Sequence, residues 1–150
     1  MRLVIQRVSS ASVSVAGAVI GQVGQGLCLL CGFTHGDTGQ IAEQMAAKCL
    51  NLRIFEDKEG RMNLSLLDVK GAALAVSQFT LYADCKKGRR PSFTDSADPG
   101  KAEKLYQRFI EVLKSSGAEV QTGSFGAKML VDIQNDGPVT IVLDSKDFKC

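Results

Sequence analysis

The chain contains 150 residues, 45% of them hydrophobic and 23% charged, and its formal net charge is +2. This size predicts a single domain over residues 1–150, with a polar tail at residues 145–150. No apolar run approaches the roughly 20 residues that cross a bilayer, so a membrane span is excluded, and the N-terminal segment lacks the apolar core of a signal peptide. We therefore expect a cytoplasmic protein with no membrane partner.

The first third of the chain is predicted to be rich in strands. The segments RLVIQRV and SVSVAG alternate apolar and polar residues, as strands with one buried face do. Three glycines, Gly21, Gly24 and Gly26, predict turns between short strands. The next segment, GLCLLCGF, is almost wholly apolar, which is typical of a buried strand.

The five cysteines are odd in number and irregularly spaced, which favours reduced thiols over a disulfide framework. Two of them, Cys28 and Cys31, lie three residues apart in the predicted buried strand. Residues at that spacing point to opposite faces, so their sulfur atoms are not placed to share a metal or a bridge. Core packing is the better interpretation of both. The remaining cysteines are Cys49, Cys85 and Cys150.

A first helix is predicted over residues 39–52, where apolar residues recur on one face after a cap supplied by Asp37 or Thr38. A short strand, a turn at KEGR and a second short strand follow it. The segment AALAV, which ends at Val76, is the most apolar strand of the chain and is expected to lie in the core.

Residues 84–101 form a polar segment that contains two prolines and two glycines, so most of it is predicted to be a loop. A second helix begins at Asp98 and Pro99 and ends at Gly117, and its apolar face is the clearest periodic pattern in the chain. Strands and turns return after it. Short strands with two separated helices predict an α+β domain with a mainly antiparallel, barrel-like sheet.

The first candidate site lies where the buried strand ends. Ser77, Gln78 and Thr80 place three hydrogen-bonding side chains next to Phe79, and buried polar groups need partners or a ligand. A strand end with alternating exposure explains the same pattern without a ligand, because Ser77 and Phe79 would face one way and Gln78 and Thr80 the other. The pattern alone favours this second explanation.

Little in the sequence activates these hydroxyl groups as nucleophiles. A serine or threonine nucleophile needs a base beside it, and the one histidine, His35, lies in the loop FTHGDTG, where an exposed turn residue is the commoner explanation. No residue spacing predicts a metal site or another cofactor. Any chemistry is expected to rely on positioning and on backbone hydrogen-bond donors.

The one concentrated positive cluster is the run KKGRR, which is followed by Pro91 and Phe93. Its side chains are suited to phosphates, although a solvated basic turn explains the charge equally well. They are Lys86, Lys87, Arg89 and Arg90. Near the end of the chain, NDGPVT predicts a turn at Gly137 and Pro138 that leads into an edge strand.

Six segments, taken in order, resemble the D-aminoacyl-tRNA deacylases: VIQRVSSASVSV, NLRIFEDKEGRMN, VSQFTL, GRRPSF, GSFGAKM and NDGPVT. The resemblance runs from Met1 to about Leu143 without large gaps, and SQFT with NxGPVT is a specific pair for that family. It implies a compact β-rich α+β homodimer with no cofactor. The implied reaction is hydrolysis of the ester that joins a D-amino acid, or glycine, to the terminal adenosine of tRNA.

The resemblance also implies roles for single residues. Gly137 and Pro138 correspond to a dipeptide with a cis peptide bond, which enters the active site of the other subunit and rejects L-amino acids with its carbonyl groups. Arg7 corresponds to the residue that helps to hold this dipeptide. Because such a filter consists of backbone atoms, it excludes the L side chain by contact at the α-carbon and does not read the identity of a D side chain.

The run Ser77–Thr80 corresponds to the strand that receives this dipeptide and the 3′-terminal adenosine, with the RNA 2′-hydroxyl and main-chain groups assisting the reaction. Phe125 and Met129 are candidate contacts of the adenosine, with core packing an equal alternative. The run KKGRR is implied to face the acceptor stem of tRNA.

Two other functions stay open at this point. One is a non-catalytic tRNA-binding module that uses the KKGRR run, and the other is a conventional serine or threonine esterase with His35 as its base. No role is assigned to Cys150.

Overall fold

The computed structural model describes residues 1–148 and consists of eight strands, two α-helices and two short 3₁₀ helices. Cys150 lies outside the described residues. No helix within residues 1–148 is long and apolar enough to cross a membrane. In chain order the elements are β1 (Arg2–Val15), β2 (Ala18–Val23), β3 (Gly26–Gly32), α1 (Gly39–Asn51), β4 (Phe55–Glu56), β5 (Met62–Leu64), β6 (Ala72–Ser77), a 3₁₀ helix (Phe79–Tyr82), α2 (Pro99–Ser115), β7 (Glu119–Thr122), β8 (Leu130–Asp144) and a 3₁₀ helix (Ser145–Asp147).

Strand β1 organises the main sheet, because β2, β3 and β8 all pair with it in antiparallel fashion. The sheet continues from β3 to β6 and β7, whose pairings are parallel. Strands β2 and β7 approach closely at the far ends of this order, since a Cβ atom on Gly21 would lie 2.9 Å from the Thr122 carbonyl oxygen. The predicted α+β class with a barrel-like, mainly antiparallel sheet is confirmed, although the two parallel pairs were not predicted.

The turn predicted at Gly21 is wrong. Gly21 lies inside β2, where the lack of a side chain permits the contact with β7. The chain instead turns between β1 and β2 at Ala16 and Gly17, which both have positive φ angles of 50° and 83°. The bend between β2 and β3 falls at Gly24 and Gln25, so the turn predicted at Gly24 is confirmed, whereas Gly26 is the first residue of β3.

Two apolar clusters fill the two sides of the sheet. The larger lies between the sheet and both helices and includes Cys31 and Cys49, whereas the smaller includes Cys28. The prediction that Cys28 and Cys31 are core thiols on opposite faces is confirmed. Burial raises the pKa of the Cys28 thiol to about 11 and also raises the pKa of Cys31 and Cys49, so these thiols stay protonated and inert at neutral pH.

Thr38, one of the two predicted caps, begins α1 and accepts a hydrogen bond from the Ile41 amide at 3.3 Å. Asp37 is buried instead, and its carboxylate binds the Met1 amino group and the Thr34 amide. The second helix begins at Pro99 as predicted, although the Asp98 side chain makes no capping hydrogen bond. Gly117, with a φ of 85°, follows the end of α2.

Strand β6 is buried up to Val76 and ends at Ser77, and the chain then turns into the 3₁₀ helix. The 3₁₀ helix rests on β3 at Gly32, because a Cβ atom there would lie 2.9 Å from Leu81 Cβ and 3.0 Å from the Gln78 carbonyl oxygen. The Gln78 amide also donates to the Cys31 carbonyl at 2.8 Å. The simple alternation of strand faces considered for the SQFT run is therefore wrong.

The start of the β3–β6 pairing depends on a glycine. A Cβ atom on Gly26 would lie 1.7 Å from the Ala72 carbonyl oxygen, whereas a Cβ atom on Gly24 would meet no atom within 4 Å. We expect Gly26→Ala to lower the free energy of unfolding by at least about 3 kcal/mol, because backbone must move to admit the methyl group. Gly24→Ala is the matched control and should leave it within about 0.5 kcal/mol. Urea denaturation measures both, and equal stability of the two variants would contradict the pairing.

Candidate active site

An open cavity of about 580 Å³ lies beside the end of β6. Four segments of the chain form it: the end of β3 with Phe33, the end of β6 with Phe79, residues 93–102 before and at the start of α2, and residues 125–131 before and at the start of β8. Its inner residues, such as Phe33, Val76 and Ala97, are apolar and buried. The cavity is thus an apolar pocket with a few polar groups, the usual composition of a small-molecule site.

The structure brings three of the four SQFT residues to this cavity. Ser77 and Gln78 are half-buried and line it, and Phe79 lines it with 59% of its surface exposed. Thr80 is exposed and lies outside the lining, where its hydroxyl accepts a hydrogen bond from the Gln78 side-chain amide. Ser96 and Asp98 contribute further polar groups to the lining, and sequence patterns did not assign either residue to a site.

His35 is not placed to act as a base. Its ring is exposed and lies outside the cavity lining, and its Nε2 donates to the Thr94 carbonyl at 2.8 Å. Among residues 1–148, no imidazole or carboxylate is hydrogen-bonded to the hydroxyl of Ser77 or Thr80. The same part of the chain contains no group of three or more histidine, cysteine or acidic residues that could hold a metal ion. The site therefore offers positioned polar groups without an activated side-chain nucleophile.

Phe125 and Met129 serve both the cavity and the core. Both line the cavity, Phe125 packs against the larger apolar cluster, and Met129 packs against the smaller one. The Phe125 ring lies 5.9 Å from that of Tyr106, and a Cβ atom on Gly123 would lie 2.5 Å from Met129 Sδ. Core packing is thus observed for both residues, and contact with the adenosine stays a prediction.

The pairing of β8 with β1 is interrupted at Arg7. Gln6 pairs with Thr140 and Val8 pairs with Asn135, so the single residue Arg7 faces residues 136–139 of β8. These four residues form an excursion from the ladder, and the Gly137–Pro138 peptide bond within it is cis. The turn predicted before an edge strand is thus an excursion inside a strand that is paired on both sides of it.

The buried side chain of Arg7 binds the backbone of this excursion through hydrogen bonds. This side chain is 6% exposed, its Nε donates to the Asp136 carbonyl at 3.1 Å, and its Nη1 donates to the Ile54 carbonyl at 2.8 Å. The carboxylates of Glu56 and Asp136 lie 3.8 and 3.5 Å from the guanidinium. Gly137 and Pro138 are exposed, and they do not line the cavity of their own chain.

Asn135 and Thr140 close the base of the excursion, a role that the sequence patterns did not assign to them. The Asn135 side chain accepts from the Val139 amide at 3.1 Å and donates to Thr140 Oγ1 at 3.0 Å. The signal was present in the spacing of the NxGPVT motif, whose first and last residues are these two. Side-chain hydrogen bonds to nearby backbone are a common way for asparagine to stabilise such irregular segments.

The basic run forms the tip of a loop that lies outside the cavity lining. Asp84 and Ser92 close its base with two hydrogen bonds between their backbones, at 2.8 and 2.9 Å. All four basic side chains are exposed, and none of them belongs to the salt bridges of the described residues. They are Lys86, Lys87, Arg89 and Arg90.

Comparison with known proteins relates this architecture to one family. Residues 4–144 match the family described as D-Tyr-tRNA(Tyr) deacylase. A protein of Thermosipho melanesiensis named D-aminoacyl-tRNA deacylase is 57% identical over 97% of this chain and 98% of its own length. A solved structure described as c-Myc DNA Unwinding Element Binding Protein is 44% identical, with a TM-score of 0.90 over 96% of this chain and 98% of that chain.

A more distant structure, described as a probable eukaryotic D-amino acid tRNA deacylase, shares the fold with a TM-score of 0.83 at 18% identity, over 95% of this chain and 97% of that chain. Fold, cavity and relatives together define the class of the protein, which is that of the hydrolases. The chain belongs to the D-Tyr-tRNA(Tyr) deacylase family.

The contribution of the Arg7 hydrogen bonds to the stability of the protein can be measured. Arg7→Met keeps the apolar stem but removes the donors to the Asp136 and Ile54 carbonyls, so we expect the free energy of unfolding to fall by about 2 kcal/mol. Arg61→Met is the control, because Arg61 is exposed and forms only a surface ion pair with Glu59, which contributes little. Chemical denaturation measures the free energy of unfolding of both variants. An equal decrease in the two would contradict a stabilising role of the Arg7 hydrogen bonds.

Proposed function

We propose that this protein hydrolyses the ester bond of D-aminoacyl-tRNA and releases the free D-amino acid and tRNA. The observation that carries the proposal is the end of β6, where Ser77 and Gln78 open into an apolar cavity in a chain that belongs to a deacylase family. A cavity of about 580 Å³ is large enough for a terminal aminoacyl-adenosine. Its apolar lining suits the base and leaves polar contacts for the ribose and the ester.

The chemistry that fits this site does not use a covalent enzyme intermediate. Water attacks the ester carbonyl carbon, the bond to the ribose oxygen breaks, and that oxygen takes up a proton. The 2′-hydroxyl of the terminal ribose assists the proton transfer, since the described residues place no base beside Ser77 or Thr80. The first N–H groups of a helix have no acceptor within it, so the amides of Phe79 and Thr80 are suited to stabilise the developing oxyanion.

Two other parts of the chain bind the rest of the substrate. Phe125 and Met129, which line the cavity, contact the terminal adenosine. The exposed basic tip with Lys86, Lys87, Arg89 and Arg90 contacts phosphates of the acceptor stem. These contacts orient the ester at the end of β6 and supply affinity that does not depend on the amino acid.

Gly137 and Pro138 of a second copy of the chain act as the chirality filter. The dipeptide is exposed and held by Arg7 and Asn135, yet it is absent from the cavity lining of its own chain. A rigid, protruding pair of carbonyl groups is suited to enter a cavity on another subunit and to exclude the L side chain at the α-carbon. Glycine has no side chain to exclude, so glycyl-tRNA is a substrate as well.

A homodimer is supported by an apolar row of side chains that crosses β8, β1 and β3. Val142, Val4 and Leu30 are neighbours across these three strands, and Val142 is 62% exposed. Such a row on adjacent strands offers a surface that a second copy can cover. We place the enzyme in the cytoplasm, because its four described cysteines are unpaired thiols, as is usual in a reducing compartment.

Cleavage of matched substrates tests the function. Purified protein should cleave D-tyrosyl-tRNA at least about 100-fold faster than L-tyrosyl-tRNA on the same tRNA, because the filter excludes the L side chain. His35→Gln should retain this activity, since His35 lies outside the cavity and the glutamine amide can still donate to the Thr94 carbonyl. Release of labelled tyrosine measures both. Equal cleavage of the two esters would contradict the filter, and loss of activity in His35→Gln would favour the esterase alternative.

The same assay separates the second candidate, a tRNA-binding module without catalysis. The exposed basic loop is the observation that favours it, and one structural relative is described as a DNA-element-binding protein. That alternative predicts salt-sensitive binding of tRNA with no release of tyrosine from either ester.

Action of the filter across subunits can be tested in a mixed dimer. A Cβ atom on Gly137 would lie 2.8 Å from Val139 Cγ2 and 3.1 Å from Arg7 Nη2, so Gly137→Ala displaces the dipeptide. Ala127→Trp fills the cavity. We expect the Gly137→Ala homodimer to cleave both D- and L-tyrosyl-tRNA, and the Ala127→Trp homodimer to cleave neither.

The mixed dimer, purified through two different tags, should cleave only the D ester. Its one open cavity belongs to the Gly137→Ala chain and receives the native dipeptide of the blocked chain. Continued cleavage of the L ester would show that the dipeptide acts within its own chain, and a monomeric protein in sedimentation would contradict the arrangement. Pro138→Ala provides a second filter variant for the same comparison.

A further inference from the structure

We propose that Phe79 and Phe93 form a stacking subsite for the nucleotide base that precedes the terminal adenosine of the substrate. This inference rests on the proposed deacylase function, and it extends the site from one nucleotide to two. Phe79 and Phe93 will be called the aromatic pair.

The aromatic pair is exposed at the lining of the cavity. The rings lie 5.0 Å apart at 70°, an edge-to-face contact, and the side chains are 59% and 36% exposed. Both residues line the open cavity, so their exposed surface is accessible to a ligand that enters it. An edge-to-face pair fixes the orientation of each ring and leaves a flat face available for another ring.

The backbone beneath the aromatic pair is tied down by several hydrogen bonds. Ser96 Oγ donates to the Phe79 carbonyl at 2.9 Å, and the Ser96 amide donates to the Phe93 carbonyl at 3.1 Å. The next residues are bound from the loop before α1, where Thr34 Oγ1 donates to the Asp95 carbonyl at 2.6 Å and His35 binds the Thr94 carbonyl. The one histidine of the chain thus helps to hold this segment. A stacking surface that is fixed before binding loses little entropy when a base arrives.

The aromatic pair lies between the cavity and the basic loop. Phe93 follows directly after Ser92, which closes the base of the loop that carries Lys86, Lys87, Arg89 and Arg90. A strand whose last nucleoside occupies the cavity and whose phosphates approach the basic loop passes over the aromatic pair. Aromatic side chains beside a basic surface are the usual arrangement for binding single-stranded nucleic acid, in which each base stacks on a ring.

Other residues are available for the terminal adenosine itself. Phe33 is 3% exposed within the cavity, and Phe125 lies on its opposite segment. The exposed aromatic pair is therefore assigned to the next base along the strand. Stacking reads a base without regard to its hydrogen-bonding edge, so the subsite strengthens binding of the acceptor end without selecting among tRNAs.

Two stable amide analogues test the subsite directly. One is 3′-(D-tyrosylamino)-3′-deoxyadenosine, and the other carries a cytidine joined to its 5′ position through a phosphate. The readout is the ratio of their inhibition constants against cleavage of D-tyrosyl-tRNA, for the wild type, Phe93→Ala and Phe93→Tyr. We expect the wild type to bind the dinucleotide analogue more tightly, Phe93→Ala to lose about 10-fold of that advantage, and Phe93→Tyr to keep it. Leu67→Ala, which removes an exposed apolar side chain away from the cavity, is the control.

Each contrary result has a distinct meaning. Equal loss of affinity for both analogues in Phe93→Ala would place the aromatic pair on the adenosine or the amino acid, and an unchanged ratio would show that it binds no base. Dissociation of the Phe93→Ala protein into monomers would identify the pair as part of an interface. All three results overturn the subsite. Failure of the wild type to cleave D-tyrosyl-tRNA, by contrast, would overturn the proposed function itself.

Discussion

The ladder between β1 and β8 is the constraint on which the rest of the structure depends. Strand β1 also pairs with β2 and β3, so the position of every other strand in the main sheet follows from it. The ladder is regular except at two places: β8 carries extra residues opposite Arg7, and β1 carries one extra residue between Val8 and Ser10. A buried guanidinium can satisfy several carbonyl groups at once, and Arg7 uses that capacity to join the excursion of β8 to the segment at Ile54.

The excursion and the cavity lie on different parts of the fold and are stabilised in different ways. The excursion projects an exposed dipeptide, and Asn135 closes the base of the excursion. The cavity forms between the ends of β3 and β6, the segment before α2 and the segment before β8. A chain that presents a rigid projection and a separate cavity can complete its site by pairing with a second copy. The dimer that we propose follows from this arrangement, because in the proposed mechanism neither part alone distinguishes the two configurations at an α-carbon.

The described residues of the site contain no conventional catalytic triad. Ser77 and Thr80 have no base beside them among the described residues, and the sole histidine binds the backbone of a neighbouring loop. In the mechanism that we propose, backbone amides at the start of the 3₁₀ helix, an apolar cavity and a hydroxyl on the substrate take the place of side-chain catalysts. Such a site depends on exact placement of the chain, which explains the close backbone contacts at Gly26 and Gly32 that hold β3, β6 and the 3₁₀ helix together.

The sequence by itself determined the features that depend on local periodicity and on single residues with restricted backbones. The apolar face of α2, its start at Pro99 and its end before Gly117 follow from the repeat of about 3.6 residues and from the properties of proline and glycine. The opposite faces of Cys28 and Cys31 follow from the two-residue period of a strand. The basic run and the SQFT and NxGPVT motifs were also visible without any structure.

Only the tertiary structure decided how these pieces meet. The parallel pairing of β3, β6 and β7, the 3₁₀ helix after Ser77, and the place of Gly21 inside a strand all depend on contacts between segments far apart in sequence. The same holds for the bonds of Arg7 to Ile54 and for the arrival of Phe93, Ser96 and Asp98 at the cavity. A local pattern shows which groups a residue can offer, but the partner that accepts them is set by the path of the whole chain.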